Sequence, residues 1–100
     1  MSGIYYSPEQ YGLTLVAELD LDDELYNFNM LAVWQDNATG KFLFVTDAGW
    51  RCPSPFEDTS VSDLAEFSWS AIDAVIVDEG RNVDAAEAAA FKQTLRKAGA

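Results

Sequence analysis

The hydrophobic pattern of this chain changes period once, and that change restricts the class of fold open to it. Up to residue 46, apolar residues recur at every second position between polar turns. From residue 60 onward they recur at helical spacing behind serine and asparagine caps. Period two lays one face of a strand on a core, and period 3.6 does the same for a helix. The change falls in residues 47–58, Asp-Ala-Gly-Trp-Arg-Cys-Pro-Ser-Pro-Phe-Glu-Asp, which hold two of the three prolines, the single cysteine and one of the three tryptophans. The pattern predicts an α+β domain: a three-stranded antiparallel β-meander followed by two or three C-terminal helices packed on the sheet. One hundred residues make a single domain, with a meander half at 1–49, a proline-rich crossover at 50–59 and a helical half at 60–100.

The meander is read from three stretches. In residues 13–21, Leu13, Leu15, Ala17, Leu19 and Leu21 share one face, and four acids at 20–24 then form a solvated turn. Residues 28–35 place Phe28, Met30, Ala32 and Trp34 opposite Leu31 and Val33, so this strand is apolar on both faces. Such a strand belongs at the centre of a sheet, under covering helices or against a partner. Asp36-Asn37-Ala38-Thr39-Gly40 carries turn chemistry, and residues 41–46 return as a β-branched and aromatic strand. Ahead of the meander, Ser7 and Pro8 suit the start of one helical turn. The tyrosines of residues 1–12 are expected over a core edge with wet hydroxyls, or as an exposed aromatic patch.

In the second half, Ser60-Val61-Ser62-Asp63 has the form of a capping box that opens a helix through Leu64, Ala65 and Ser68. Ser70-Ala71-Ile72-Asp73 opens another that Gly80 ends, although the β-branched run Ala74-Val75-Ile76-Val77 also suits a fourth strand. Asn82 is the expected cap of the last helix, with Ala88, Phe91 and Leu95 as its buried stripe and Gly99 at its end. Asp84 and Glu87 near its start, and Lys92, Arg96 and Lys97 near its end, complement the helix dipole.

Charge narrows the functions. Seventeen acids oppose six bases, with no histidine, for a net charge of −11. That field repels phosphate backbones, so the chain is read as one that does not bind nucleic acid directly and favours a basic protein partner. Without histidine, serine–histidine and cysteine–histidine nucleophiles are excluded, and no catalytic residue is assigned. The reading is of a non-enzyme. Cys52 stands alone, which excludes an intrachain disulfide. Asp20, Asp22, Asp23 and Glu24 lack the spacing and glycine of a calcium loop, and no phosphate loop, dinucleotide fingerprint or zinc spacing occurs. No cofactor or metal is expected. No apolar run reaches the roughly 18 residues of a membrane span, and the N-terminus lacks signal-peptide character.

The remaining candidate is residues 47–58 themselves. Pro53 and Pro55 favour an extended, rigid path, and Phe56 can anchor it in the core. Trp50 and Arg51 are residue types common at binding hot spots. Trp50, Arg51, Pro53, Pro55 and Phe56 are therefore the candidate protein-contact residues.

Residues 4–13, Ile-Tyr-Tyr-Ser-Pro-Glu-Gln-Tyr-Gly-Leu, and residues 46–58, with Leu31-Ala32-Val33-Trp34-Gln35 between them, resemble a family of small uncharacterised proteins from tailed phages of actinobacteria. Family members tend to read Asp-Ser-Gly-Cys-Ser-Cys-Pro-Ser-Pro-Phe-Glu-Asp where residues 47–58 stand here. The likeness spans roughly the first 60 to 65 residues. Trp50 replaces the family's first cysteine, so the Cys-x-Cys pair is broken, and any metal or redox role of that pair is put in doubt. The resemblance implies a phage accessory protein in the host cytoplasm, with no catalytic role. Two functions are expected of such a chain: a module that binds and modulates a host or phage protein, counter-defence included, or a structural homo-oligomer. Mimicry of DNA by carboxylates is a variant of the first.

Overall fold

The computed structural model describes residues 3–21, 27–50, 56–80 and 83–100, with backbone alone for Asn27 and Trp50. Four antiparallel strands, β1 (Leu13–Asp20), β2 (Asn27–Asp36), β3 (Phe42–Trp50) and β4 (Ala65–Glu66), form one sheet in the order β1-β2-β3-β4. Two helices follow, α1 (Trp69–Glu79) and α2 (Ala85–Lys97), with short 3-10 turns at Pro8–Tyr11 and Val61–Asp63. The α+β class and the two C-terminal helices agree with the sequence; the sheet has four strands where three were expected. Among the described residues no helix is long and apolar enough to cross a membrane.

The β2–β3 hairpin is closed by local chemistry. Asp36 Oδ1 accepts from Ala38 N–H at 2.9 Å, and Gly40 takes φ +76 while its N–H reaches Asp36 O at 2.7 Å. Glycine meets that left-handed conformation without a Cβ clash. Register then runs unbroken from Gln35↔Phe42 to Asn27↔Trp50, which lengthens β3 past residue 46 and into the 47–58 stretch.

The alternation expected along β1 does not hold. Pairing with β2 passes from Leu15↔Trp34 to Ala17↔Val33, so Val16 is an extra residue in a β-bulge. Leu13 and Leu15 pack on the Trp34 side of the sheet, whereas Ala17, Leu19 and Leu21 pack on the Leu31–Val33 side. The five residues therefore serve two cores.

Those cores explain the doubly apolar β2. Leu31 and Val33 lie under Ile72 of α1 and Phe91 and Leu95 of α2. On the opposite face, Ala32 and Trp34 lie under Ile4 and Phe56. Among the described residues the two α-helices cover one face, and the N-terminal segment and Phe56 cover the other. Ala32 and Trp34 are both 0% exposed, so this apolar face of β2 is filled from within the chain.

The largest departure is at residues 60–68. The capping box forms, with Asp63 Oδ2 accepting from Ser60 N–H at 2.9 Å. Yet it nucleates one 3-10 turn only. Leu64 is extended, Ala65 and Glu66 pair with Phe44 and Leu43, and Phe67 N–H donates to Phe42 O at 3.0 Å. Leu64 joins the Trp34 core and Phe67 the helix-side core, a division that an extended chain across the sheet edge achieves. The capping position of α1 is Ser68, whose Oγ accepts from Ala71 N–H at 3.1 Å, and Ser70 lies inside the helix. Residues 71–77 are helical. The N-cap of α2 is Asp84, with Oδ1 accepting from Ala86 N–H at 2.8 Å; Asn82, the expected cap, lies outside the described residues.

Candidate functional site

Of the five residues singled out by sequence, Arg51, Pro53 and Pro55 lie outside the described residues, as does Cys52. Trp50 closes β3 with its backbone opposite Asn27. Phe56 is 0% exposed, so in this conformation it is an anchor and offers no contact surface. Its ring stacks on Tyr5 at 4.9 Å between centroids and meets Trp34 edge-on at 5.7 Å. Its backbone has φ +61, and Asp47 Oδ2 accepts its N–H at 2.7 Å. A phenylalanine in the left-handed region is strained by about 1–2 kcal/mol, and the ring contacts and Asp47 hold it there.

The same cluster ties down the N-terminal segment. Trp34 Nε1 donates to Ile4 O at 2.9 Å, which satisfies a buried indole and fixes the path of residues 4–6. The Tyr5 hydroxyl donates to the Glu18 carboxylate at the exposed side of the cluster. Partial burial, followed by that hydrogen bond, pushes the phenol well above its ordinary value, because both oppose the phenolate.

A second feature lies across β1 from this cluster. Four consecutive β1 residues, Ala17 to Asp20, face a groove of about 320 Å³ whose other wall is Glu87, Ala90, Phe91 and Thr94 of α2. Successive strand side chains point to opposite faces, so four in a row reach one space only along the edge of the strand. Positions 87, 90, 91 and 94 are a single stripe of a helix. The groove is thus the crease between the outer edge of β1 and one side of α2. Its floor is apolar, and its ionisable lining is Glu18, Asp20 and Glu87.

Two of the three bases of α2 are turned elsewhere. Lys92 Nζ is 2.7 Å from Asp73 Oδ1 of α1, and the Arg96 guanidinium lies 5.0 Å from the centroid of the Trp69 ring. Both contacts are with α1; among the described residues that line the groove, the ionisable ones are Glu18, Asp20 and Glu87. Sequence reasoning missed this site. Its signal was the stripe at 87, 90, 91 and 94 together with the alternating acids 18 and 20, but strand order was needed to bring them together. Among the described residues no group of three histidine, cysteine, aspartate or glutamate side chains is placed to hold a metal.

A family model described as "Domain of unknown function (DUF7574)" matches residues 2–97. The chain belongs to the DUF7574 family. The DUF7574 match runs through the sheet and both helices, well past the first 60 to 65 residues that carried the resemblance above. No curated protein and no solved structure matches the chain.

Proposed function

We propose that this DUF7574 chain is a small acidic accessory protein of an actinobacterial phage that binds a host or phage protein in the host cytoplasm and modulates it, counter-defence included. The supporting observation is the β1–α2 groove, an apolar crease with a carboxylate-only ionisable lining. A net charge of −11 would add long-range attraction for a basic partner. Trp50, Arg51, Pro53 and Pro55 are a second candidate contact under this reading.

The test is affinity capture from an actinobacterial lysate with the full chain, with Glu87→Lys, and with Trp50→Ala/Arg51→Ala. One or a few proteins should be enriched over an unrelated acidic protein of similar net charge, and either variant should reduce their recovery. Recovery no different from the acidic control would overturn the reading.

A further inference from the structure

The groove has a geometry that specifies its occupant further, and this inference rests on the protein-binding reading above. β1 is an edge strand: among the described residues, β2 is the one strand that pairs with it. At eight residues it offers an edge of about 27 Å at the usual rise per residue. On the opposite side β4, two residues long, pairs with Leu43 and Phe44. Beyond Phe44, β3 has no further strand beside it among the described residues, so that edge is stepped where the edge of β1 is one strand of eight residues. The longer single-strand edge is the one beside the groove.

The direction of the backbone groups follows from the pairing. Leu21 N–H donates to Asn29 O at 2.7 Å, which places Leu21 and Asn29 at a hydrogen-bonded position of the ladder. Bonded and non-bonded pairs alternate in an antiparallel ladder, which makes Leu19↔Leu31 and Ala17↔Val33 the next bonded pairs. Glu18, between them, therefore turns its N–H and C=O away from β2 and toward the groove. Its side chain lies on the face of its pair Ala32, on the Trp34 side of the sheet, while Ala17 and Leu19 face the helices.

We propose that the β1 edge takes an extended segment of a partner protein as an additional antiparallel strand, with basic residues at every second position and apolar residues between. The period follows from the two sides of the crease. Side chains of the added strand on the Glu18 side meet carboxylates. Those on the other side meet Ala90, exposed above the buried Leu19 and Phe91, with Glu87 one turn away on the same helix. Main-chain bonds to the edge supply pairing, and the alternating side chains supply selection. A second copy of this chain would bring its own acids against Glu18 and Glu87, a like-charge juxtaposition that disfavours self-pairing.

The hydrogen-bond alternation makes the mode testable apart from the charge. The residue that pairs with Glu18 through its outward groups shares its face, so it is a basic one. The amides that the edge needs are those of the basic positions. The probe is a fluorescein-labelled peptide Lys-Val-Lys-Leu-Lys-Val-Lys-Leu, titrated with the full chain by fluorescence anisotropy. N-methylation of the lysine amides should weaken binding about tenfold or more, whereas N-methylation of the valine and leucine amides should leave it within about threefold. The variants Glu87→Lys and Ala90→Arg, both at exposed positions of α2, should each weaken binding by a similar tenfold. Equal effects of the two methylation patterns, tight binding of Glu-Val-Glu-Leu-Glu-Val-Glu-Leu, or a dimer by sedimentation that Glu87→Lys dissolves would each overturn the proposal. Peptide binding that fails while lysate capture succeeds and survives Glu87→Lys overturns strand addition and leaves the protein-binding reading standing.

Discussion

Replacing Phe56 by alanine and, separately, by glycine should reverse the usual order of those two residues. Either change removes a wholly buried ring in contact with Tyr5 and Trp34, a loss of about 3–5 kcal/mol. The two then differ in the backbone. At φ +61 alanine retains the left-handed strain of about 1–2 kcal/mol, from which glycine is exempt. Glycine's freer unfolded chain works against it by about 0.4–1 kcal/mol. The balance leaves the glycine variant about 0.5–1 kcal/mol more stable than the alanine variant, the opposite of ordinary strand or helix positions. At about 4–8 °C per kcal/mol for a domain of this size, alanine should lower Tm by roughly 12–40 °C, and glycine should recover a few degrees of it. Urea unfolding followed by tryptophan fluorescence suits the measurement, since Trp34 touches the deleted ring. If alanine proved the more stable variant, the bound strain at Phe56 would be refuted. A loss below about 1 kcal/mol for both would refute its role as the anchor of the second core.

Other outcomes follow from the same geometry. Gly80→Ala should destabilise by about 1–3 kcal/mol in chemical denaturation, since a Cβ there would stand 2.5 Å from Ile76 O and 3.0 Å from Val83 Cγ1. Leu95→Ala, at a 0% exposed position under β1 and β2, should cost about 2–5 kcal/mol by the same assay. The Tyr5 phenol lies above its unfolded value of 10.0, so its contribution is complete below that pH and declines as pH rises toward the folded value. Tyr5→Phe should accordingly lose less Tm than the native chain between pH 9 and pH 11, values placed about one unit either side of the unfolded phenol. Asp73→Ala, which breaks a partly exposed pair with Lys92, should cost no more than about 1 kcal/mol, and less in 1 M salt.

The parts of the fold that were legible are those whose signals and partners lie close together in the chain. The β2–β3 hairpin is specified by Asp36 and Gly40 within its own turn. The stripe of Phe91 and Leu95 falls on one side of α2 at the spacing the sequence shows. Phe56 was legible as a core anchor, although its positive φ and its bond to Asp47 were not. The bulge at Val16 was invisible because Leu13 to Leu21 alternate without interruption; only pairing against β2 shows the slip. The capping box at Ser60 is real, yet its signal says nothing about whether the helix continues past one turn.

Local chemistry was therefore enough for the α+β class, the central place of β2, the hairpin turn and the two C-terminal helices. Tertiary structure decided which face each apolar residue serves, what covers the second face of β2, and that residues 65–66 leave helical spacing to join the sheet. It also decided where the sheet ends. The physical reason is the range of the competing bonds. Caps and turns are satisfied within about four residues, whereas Ala65 and Glu66 bond to a strand some twenty residues earlier. The same holds for the groove: Glu18 and Glu87, far apart in the chain, line one space because β1 is an edge and α2 lies along it.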